Sequence, residues 1–352
     1  MTTTENRTST LGLSVRRLHP ASPADVATVA GFEMAAIERT FGAADVRTEE
    51  QQAVMMAPTP YWDIRHYGAF TTDDRGVEAM VGHLGLSIPL NENLDMIHFD
   101  LEVVPSHRGH GVASRLVDEL ELARAELGRP RLTAYGTETD AAADLDDPDL
   151  PINRIAARLG MTRRNVAVAR VLDLPVASTV LDDMDAEARP LLDGYRIVVW
   201  RGHPPREHWL RYGTMLTQLD LDEPDEDVEL EPQHYDETRL QVAFDRQDRQ
   251  GIAEIIAVAV APDGSLVGHS ELQYRDNPGT TLVWQENTLV MPEHRGHRLG
   301  LALKAATHRE LQAHAPQLTT EVTWNSHVND HMIGINEKMG YRVHLREVAF
   351  QN

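Results

Sequence analysis

The sequence predicts an α/β (α+β) protein made of two copies of one unit, and three observations carry that prediction. The chain has 352 residues, enough for two domains each with its own core. It also repeats itself once. Val81-Gly82-His83 returns as Val267-Gly268-His269 at an offset of 186, and Pro105-Ser106-His107-Arg108-Gly109-His110 returns as Pro292-Glu293-His294-Arg295-Gly296-His297 at an offset of 187. Leu159-Gly160-Met161-Thr162-Arg163 is echoed by Met339-Gly340-Tyr341-Arg342 at an offset of about 180. Finally, each half runs through β-patterned and helix-patterned segments in the same order.

A strand opens each half, Leu13 to Leu18 and Tyr195 to Trp200. Helical segments follow, with Pro23 to Thr40 the clearest and Ser22 its expected N-cap. Paired strands come next. In the second half Ile256 to Val260, the turn Pro262-Asp263-Gly264-Ser265 and Leu266 to Leu272 predict a hairpin. A further strand, Met96 to Val104 or Leu282 to Met291, enters each His-Arg-Gly-His loop, and a helix leaves it, Ala113 to Leu127 or Gly300 to Ala313. Leu116, Leu120, Ala123 and Leu127 give the first of these helices its apolar face. Another strand and a short helix finish each half. The expected organisation is a disordered polar tail over 1–10, a first domain over 11–178, a linker over 179–193 and a second domain over 194–352. The acidic stretches 140–149 and 220–231 read as solvated loops.

The charge balance is 33 basic against 55 acidic residues, a net of −22. That argues against a nucleic-acid partner, which needs a basic face, and against docking on an anionic membrane. It suits solubility and a cationic small-molecule substrate. The absence of cysteine excludes disulfides, thiolate catalysis and cysteine metal sites. With no long apolar run and no apolar leader, the expected location is cytoplasmic.

The segment Arg108-Gly109-His110-Gly111-Val112-Ala113 lies between a strand and a helix. Small residues there let the backbone approach an anion, and the N–H groups of the helix start carry partial positive charge. An ordinary strand-to-helix turn also favours glycine, so the loop alone leaves both readings open. It has neither the Lys-Ser/Thr pair of a P-loop nor the three glycines of a dinucleotide fold. His107, His110, His294 and His297 belong to these loops, and no metal is expected.

These residues resemble the GNAT acetyltransferase superfamily, in its tandem actinobacterial form, which includes proteins similar to mycothiol synthase. Arg108, Gly111 and Ala113 match the family's loop. Arg295 and Gly300 match it in the second half, where Arg298 stands in place of glycine. The later segment Asn325, Asn329 and Met332 to Tyr341 extends the likeness over nearly the whole chain. The resemblance implies two domains, each a mixed, mostly antiparallel twisted sheet flanked by helices. It implies that acetyl-CoA is the co-substrate, its pyrophosphate held by Arg108, Gly109, His110, Gly111, Val112 and Ala113 or by Arg295, Gly296, His297, Arg298, Leu299 and Gly300. Asn325 and Asn329 join this binding set. The strand before each loop is expected to be splayed by a bulge, freeing backbone groups at Val103 and Val104 or at Leu289 and Val290 to bind pantetheine and polarise the thioester.

A primary amine then attacks directly, which needs a general base. Glu286, nine residues before Arg295, is the expected base. Counting back from Arg108 gives Phe99 at that place, with Asp100 and Glu102 on the other face of the strand. The family's tyrosine acid is matched by Asn336 in the second half and about Ala156 in the first. An amide positions but does not donate a proton to sulfur, so water, His327 or His331 is the expected substitute. The second half is expected to be catalytic. The alternative is a non-catalytic acyl-CoA sensor or partner-binding lobe pair. Trp209 and Tyr212 belong either to the core or to the acceptor pocket, and a monomer or homodimer fits either reading.

Overall fold

A computed structural model of the chain describes residues 12–140, 142–222 and 228–352. The tail expected over 1–10, residue 141 of one acidic stretch and residues 223–227 of the other lie outside the described residues. In chain order the elements are β1 (Ser14–Leu18), α1 (Pro23–Phe41), α2 (Glu49–Met56), β2 (Trp62–Thr72), β3 (Glu78–Pro89), β4 (Met96–Val103), α3 (Val112–Leu127), β5 (Arg131–Glu138), α4 (Pro151–Arg158) and β6 (Thr162–Asp173). The second half continues with α5 (Ser178–Ala188), β7 (Arg196–Arg201), α6 (Trp209–Asp222), α7 (Glu237–Arg249), β8 (Ile252–Val260), β9 (Leu266–Arg275), β10 (Leu282–Val290), α8 (Leu299–His314), β11 (Thr320–Ser326), α9 (Asp330–Met339) and β12 (Arg342–Gln351).

Local chemistry sets the boundaries. Ser22 caps α1 by accepting the N–H of Asp25 at 3.3 Å, and Gly42 closes the helix in the left-handed region at φ 66°. Thr48 and Gln51 form a reciprocal capping box at the start of α2. The β8–β9 hairpin turns at Gly264, φ 91°, as the sequence predicts. Successive residues of β3 alternate between two helical layers. Gly82 lies under α3, where an added Cβ would stand 2.7 Å from Val112, and His83 meets Phe32 of α1 on the other face, with ring centroids 5.9 Å apart.

Among the described residues twelve strands form one sheet in the order β1-β2-β3-β4-β5-β12-β6-β11-β10-β9-β8-β7. The last strand of each half has crossed into the other. β6 pairs with β11 from Ser326↔Ala167 to Thr320↔Asp173, and β12 pairs with β5 from Arg346↔Glu138 to Gln351↔Thr133. The two exchanged strands also pair with each other, antiparallel, from Arg342↔Val171 to Gln351↔Thr162. An offset of 180 maps each end of that ladder onto the other, so the halves are related by a pseudo-twofold axis through it.

The segment expected to be a linker is largely α5. Its Leu181, Met184 and Ala188 pack on Leu301, Ala302 and Ala305 of α8 and on Ile335 and Met339 of α9. The helices of each half also brace the other. Phe41 at the end of α1 stands edge-on to Trp284 and Trp324, and Asp45 pairs with Arg275 at 3.0 Å. Arg246 of α7 donates to the carbonyls of Met55 and Ala57 at 2.9 and 3.1 Å. Trp209 and Tyr212 are core residues. Among the described residues no helix is long and apolar enough to cross a membrane.

The exchange makes a separated half incomplete, because an unpaired strand edge is prone to aggregate. Residues 12–178 expressed alone are expected to elute as aggregates or strand-exchanged multimers on size-exclusion chromatography. Co-expression with residues 179–352 is expected to restore a species of the size of the intact chain with one cooperative thermal transition.

Candidate active site

In the second half β10 and β11 pair in parallel only from Leu282↔Thr320 to Trp284↔Val322. Beyond Trp284 they separate. At the same point the β9–β10 register shifts: Gln285 faces Leu272 and Thr288 faces Ser270, so Glu286 and Asn287 together oppose one residue. This is a β-bulge, which kinks the strand away from its neighbour. The gap opens into a cavity of about 750 Å³. It runs from the loop at Arg295 and Gly296, past the start of α8, to Glu286, and its far wall is Trp324, Asn325 and Asn329.

The loop end keeps the features of an anion cradle. Gly296 has φ 90° and Arg298 φ 55°, and α8 begins at Leu299, with Leu299 and Gly300 of its first turn lining that end of the cavity. Gly111 holds the same position in the first half at φ 85°. Arg298 thus takes a left-handed conformation that costs a non-glycine residue about 1–2 kcal/mol. Its guanidinium pairs with Glu187 of α5 at 3.3 Å, so the side chain expected to reach a phosphate is engaged there. Arg295 donates from Nε to the Val290 carbonyl at 3.0 Å and also pairs with Asp222. His297 turns from the cavity to the Leu191 carbonyl, 3.0 Å away.

Glu286 opens onto the cavity wall. The surrounding protein, and then the charge of Glu254, push its carboxyl above the usual range. Beneath it Glu271 is fully enclosed. Burial and then Glu254 push it up to about 8, and it accepts the hydroxyl of Tyr212 at 2.7 Å. His203 donates to Glu254 at 2.6 Å. A raised carboxylate facing a groove that ends at helix N–H groups is an arrangement for proton abstraction beside a bound anionic donor.

Residues 37–144 match the family model described as the Acetyltransferase (GNAT) family. The chain carries a GNAT acetyltransferase domain. The whole chain also has the fold of a solved tandem GNAT protein from the clavulanic acid biosynthesis pathway, with 24% identity, a TM-score of 0.70 and coverage of 97% of this chain and 98% of that one. A GCN5-related N-acetyltransferase from Sphaerobacter thermophilus is similar at 14% identity and TM-score 0.58, covering 96% and 95%. A fungal glucosamine N-acetyltransferase region of a multi-domain β-N-acetylglucosaminidase is similar at 16% and 0.57, covering 96% of this chain and 38% of that one. No curated protein matches.

The family match falls in the first half, yet that half is packed where the second is open. The β3–β4 register is continuous from Ser87↔His98 to Gly82↔Val103, so the bulge expected in both halves is present only in β10. The missing residue also corrects the alignment. Asp100, opposite Gly85, matches the bulged pair containing Glu286, whereas counting back from the loop had placed Phe99 there. Val103, Val104 and Arg108 through Ala113 surround the start of α3, with Gly109 at φ 78° and Arg108 bonded to the Val103 carbonyl at 3.1 Å. The gap beside them is filled. Ile152 lies so close to Gly136 that an added Cβ would stand 2.8 Å away, and Leu101, Ala113, Ala134, Leu145 and Ile155 join the same apolar cluster.

Sequence reasoning missed the polar interior of the second unit. Lys304, fully buried at the cavity wall, donates to Asn336 Oδ1 at 2.8 Å, and Asn336 Nδ2 donates to Asn325 Oδ1 at 2.6 Å. Asn329 caps α9 through the Met332 N–H at 3.2 Å. His327 is exposed and bonded to the Val166 carbonyl, and His331 stands at the cavity wall. The signal for Lys304 was a lone charge on an apolar helix face. A second missed group lies in the first unit, where Glu33, His66 and His83 border a cavity of about 430 Å³ with Asp100 and Glu102. These three side chains each place one possible metal-ligating atom within 4.8 Å of the others. His66 Nδ1 and His83 Nε2 stand 3.0 Å apart in parallel rings, the geometry of an N–H···N hydrogen bond. Burial brings the His66 pKa down to about 4.

Arg298→Gly removes the left-handed strain at the cost of one exposed ion pair. The variant is expected to melt one to several degrees higher by calorimetry, from relief of about 1 kcal/mol. Gly111→Ala, at the matching position, is expected to melt lower.

Proposed function

We propose that the chain is an acyl-CoA-dependent N-acyltransferase that moves an acetyl group from acetyl-CoA to a primary amine in the second-half cavity. One observation carries the reading: where bulged β10 leaves β11, a single cavity is lined both by the start of α8 and by Glu286. The diphosphate of the donor binds the N–H groups of Gly296 to Gly300. The pantetheine arm follows the unpaired edge of β10 at Leu289 and Val290, and a backbone N–H there stabilises the oxyanion. Glu286 takes the proton of the attacking amine, which adds to the thioester carbon without a covalent enzyme intermediate. Glu286 and Glu254 favour a cationic acceptor, in keeping with the net charge of −22. The first unit, with its corresponding gap packed by Ile152 and its neighbours, acts as the partner that supplies β6 and the α1 brace.

Free-thiol release from acetyl-CoA against a panel of primary amines tests this. Glu286→Gln is expected to lower kcat by about 10²–10⁴ while calorimetry shows acetyl-CoA binding retained. Unchanged turnover would remove Glu286 as the base. The base must be ionised to work, and its pKa is raised. Wild-type activity should therefore climb with pH along a limb above the ordinary carboxylate range, and Glu286→Gln should lack that limb. Asp100→Asn with Glu102→Gln is expected to leave turnover within a factor of two. A chain that binds acetyl-CoA yet releases thiol with no amine would instead fit the sensor reading.

A further inference from the structure

We propose that Glu33, His66 and His83 hold a divalent transition-metal ion of the zinc class at the first-half cavity. The site is separate from the acyl-transfer cavity and does not depend on it. Three strands and one helix assemble it. His66 of β2 lies opposite Gly85 of β3, Gly85 lies opposite Asp100 of β4, and His83 lies opposite Glu102. Opposed residues, and residues two apart, share one face of a sheet. His66, His83, Asp100 and Glu102 therefore project to the side covered by α1, which supplies Glu33. Gly85 leaves the middle of that group open, since a Cβ there would meet only the edge of the His83 ring, 3.9 Å away. These four side chains and Glu33 all line the cavity of about 430 Å³.

Glu33, His66 and His83 each place a possible ligand atom within 4.8 Å of the others. His66 Nδ1 and His83 Nε2 are 3.0 Å apart, against about 3.3 Å for two imidazole nitrogens on one tetrahedral zinc. As they stand the two rings share one proton, which a binding cation displaces as the rings turn and part slightly. Glu33 is oriented from behind. Its Oε2 accepts from Arg47 at 2.6 Å and from Gln52 at 3.1 Å, while Oε1 stands 3.9 Å from His83 Nδ1. Ligating carboxylates are commonly held in this way by hydrogen bonds from outside the metal's own shell. The positive charges at the cavity are engaged elsewhere as well. Arg47 pairs with Asp45 at 3.0 Å, and Arg246 donates to the carbonyls of Met55 and Ala57.

Packing alone does not account for the histidine pair. In either tautomer His66 keeps a buried ring nitrogen, Nε2, with no hydrogen-bond partner among the described residues. The repeat argues in the same direction. His83 returns as His269, but Glu271 takes the place of Gly85, and Ile256, opposite it, takes the place of His66. Ile256 belongs to an apolar cluster. The same strands are thus built in the second half with an aliphatic side chain where the first half places its second imidazole. Two imidazoles and a carboxylate, with no thiolate, suit zinc, cobalt or nickel better than calcium or magnesium. Three protein ligands beside a cavity leave a fourth position for water.

The intact chain, stripped with a chelator, is titrated with zinc by calorimetry. Wild type is expected to bind it one-to-one with a Kd in the micromolar range or tighter. His66→Gln and His83→Gln are each expected to weaken binding about tenfold or more. X-ray absorption at the zinc edge of the loaded wild type is expected to show two imidazoles bound to the ion. A wild-type chain that takes up no zinc at micromolar concentration overturns the proposal, as does unweakened binding in either variant. Where a variant does not fold, a wild-type spectrum with fewer than two imidazoles overturns it equally. None of these measurements involves acyl transfer, so their failure leaves the proposed reaction standing.

Discussion

The ladder between β6 and β12 is the constraint from which the remaining architecture follows. These are the last strands of their halves, and each lies between its twin and the fifth strand of the opposite half. Backbone N–H and C=O groups must be paired when buried. β5 is therefore completed only by a strand made some two hundred residues later, and β11 only by one made in the first half. The sheet cannot be divided at the linker without opening edges on both sides. The α1 and α7 braces, with Asp45 on Arg275 and Arg246 on the backbone after α2, act across the same axis.

Within that shared frame a single extra residue separates the two halves. In β10 it forms the bulge at Glu286 and Asn287, and both residues line the cavity where the strand leaves β11. In β4 the register runs on, and α4 closes the gap with Ile152 against Gly136. Side-chain chemistry has followed. The open unit has Lys304, Asn336 and Asn325 where the closed unit has Val117, Ala156 and Gly136.

Titratable groups at the cavity wall are shifted from their ordinary ranges. The surrounding protein and then the charge of Glu254 raise Glu286, and burial brings Lys304 down to about 8. A carboxylate held above its ordinary range beside a groove is placed to accept a proton.

The sequence by itself determined the duplication, the strand–loop–helix unit, the α1 cap at Ser22 and the candidate base Glu286. Each is local or repetitive, written in spacing that any pairing of strands must respect. Even the bulge left a trace, since the repeat offset rises from 186 to 187 between the Val-Gly-His and His-Arg-Gly-His segments. Tertiary structure alone decided where that residue is inserted, and so that Asp100 rather than Phe99 matches Glu286. It also decided which strand β6 and β12 accept as neighbour. The two strands have similar apolar patterns, and choosing between partners in the same or the other half depends on long-range backbone pairing that no local pattern encodes. Lys304 was visible as one charge on an apolar helix face. Its buried contacts emerged only when folding set it against Asn336 of α9 and Glu321 of β11.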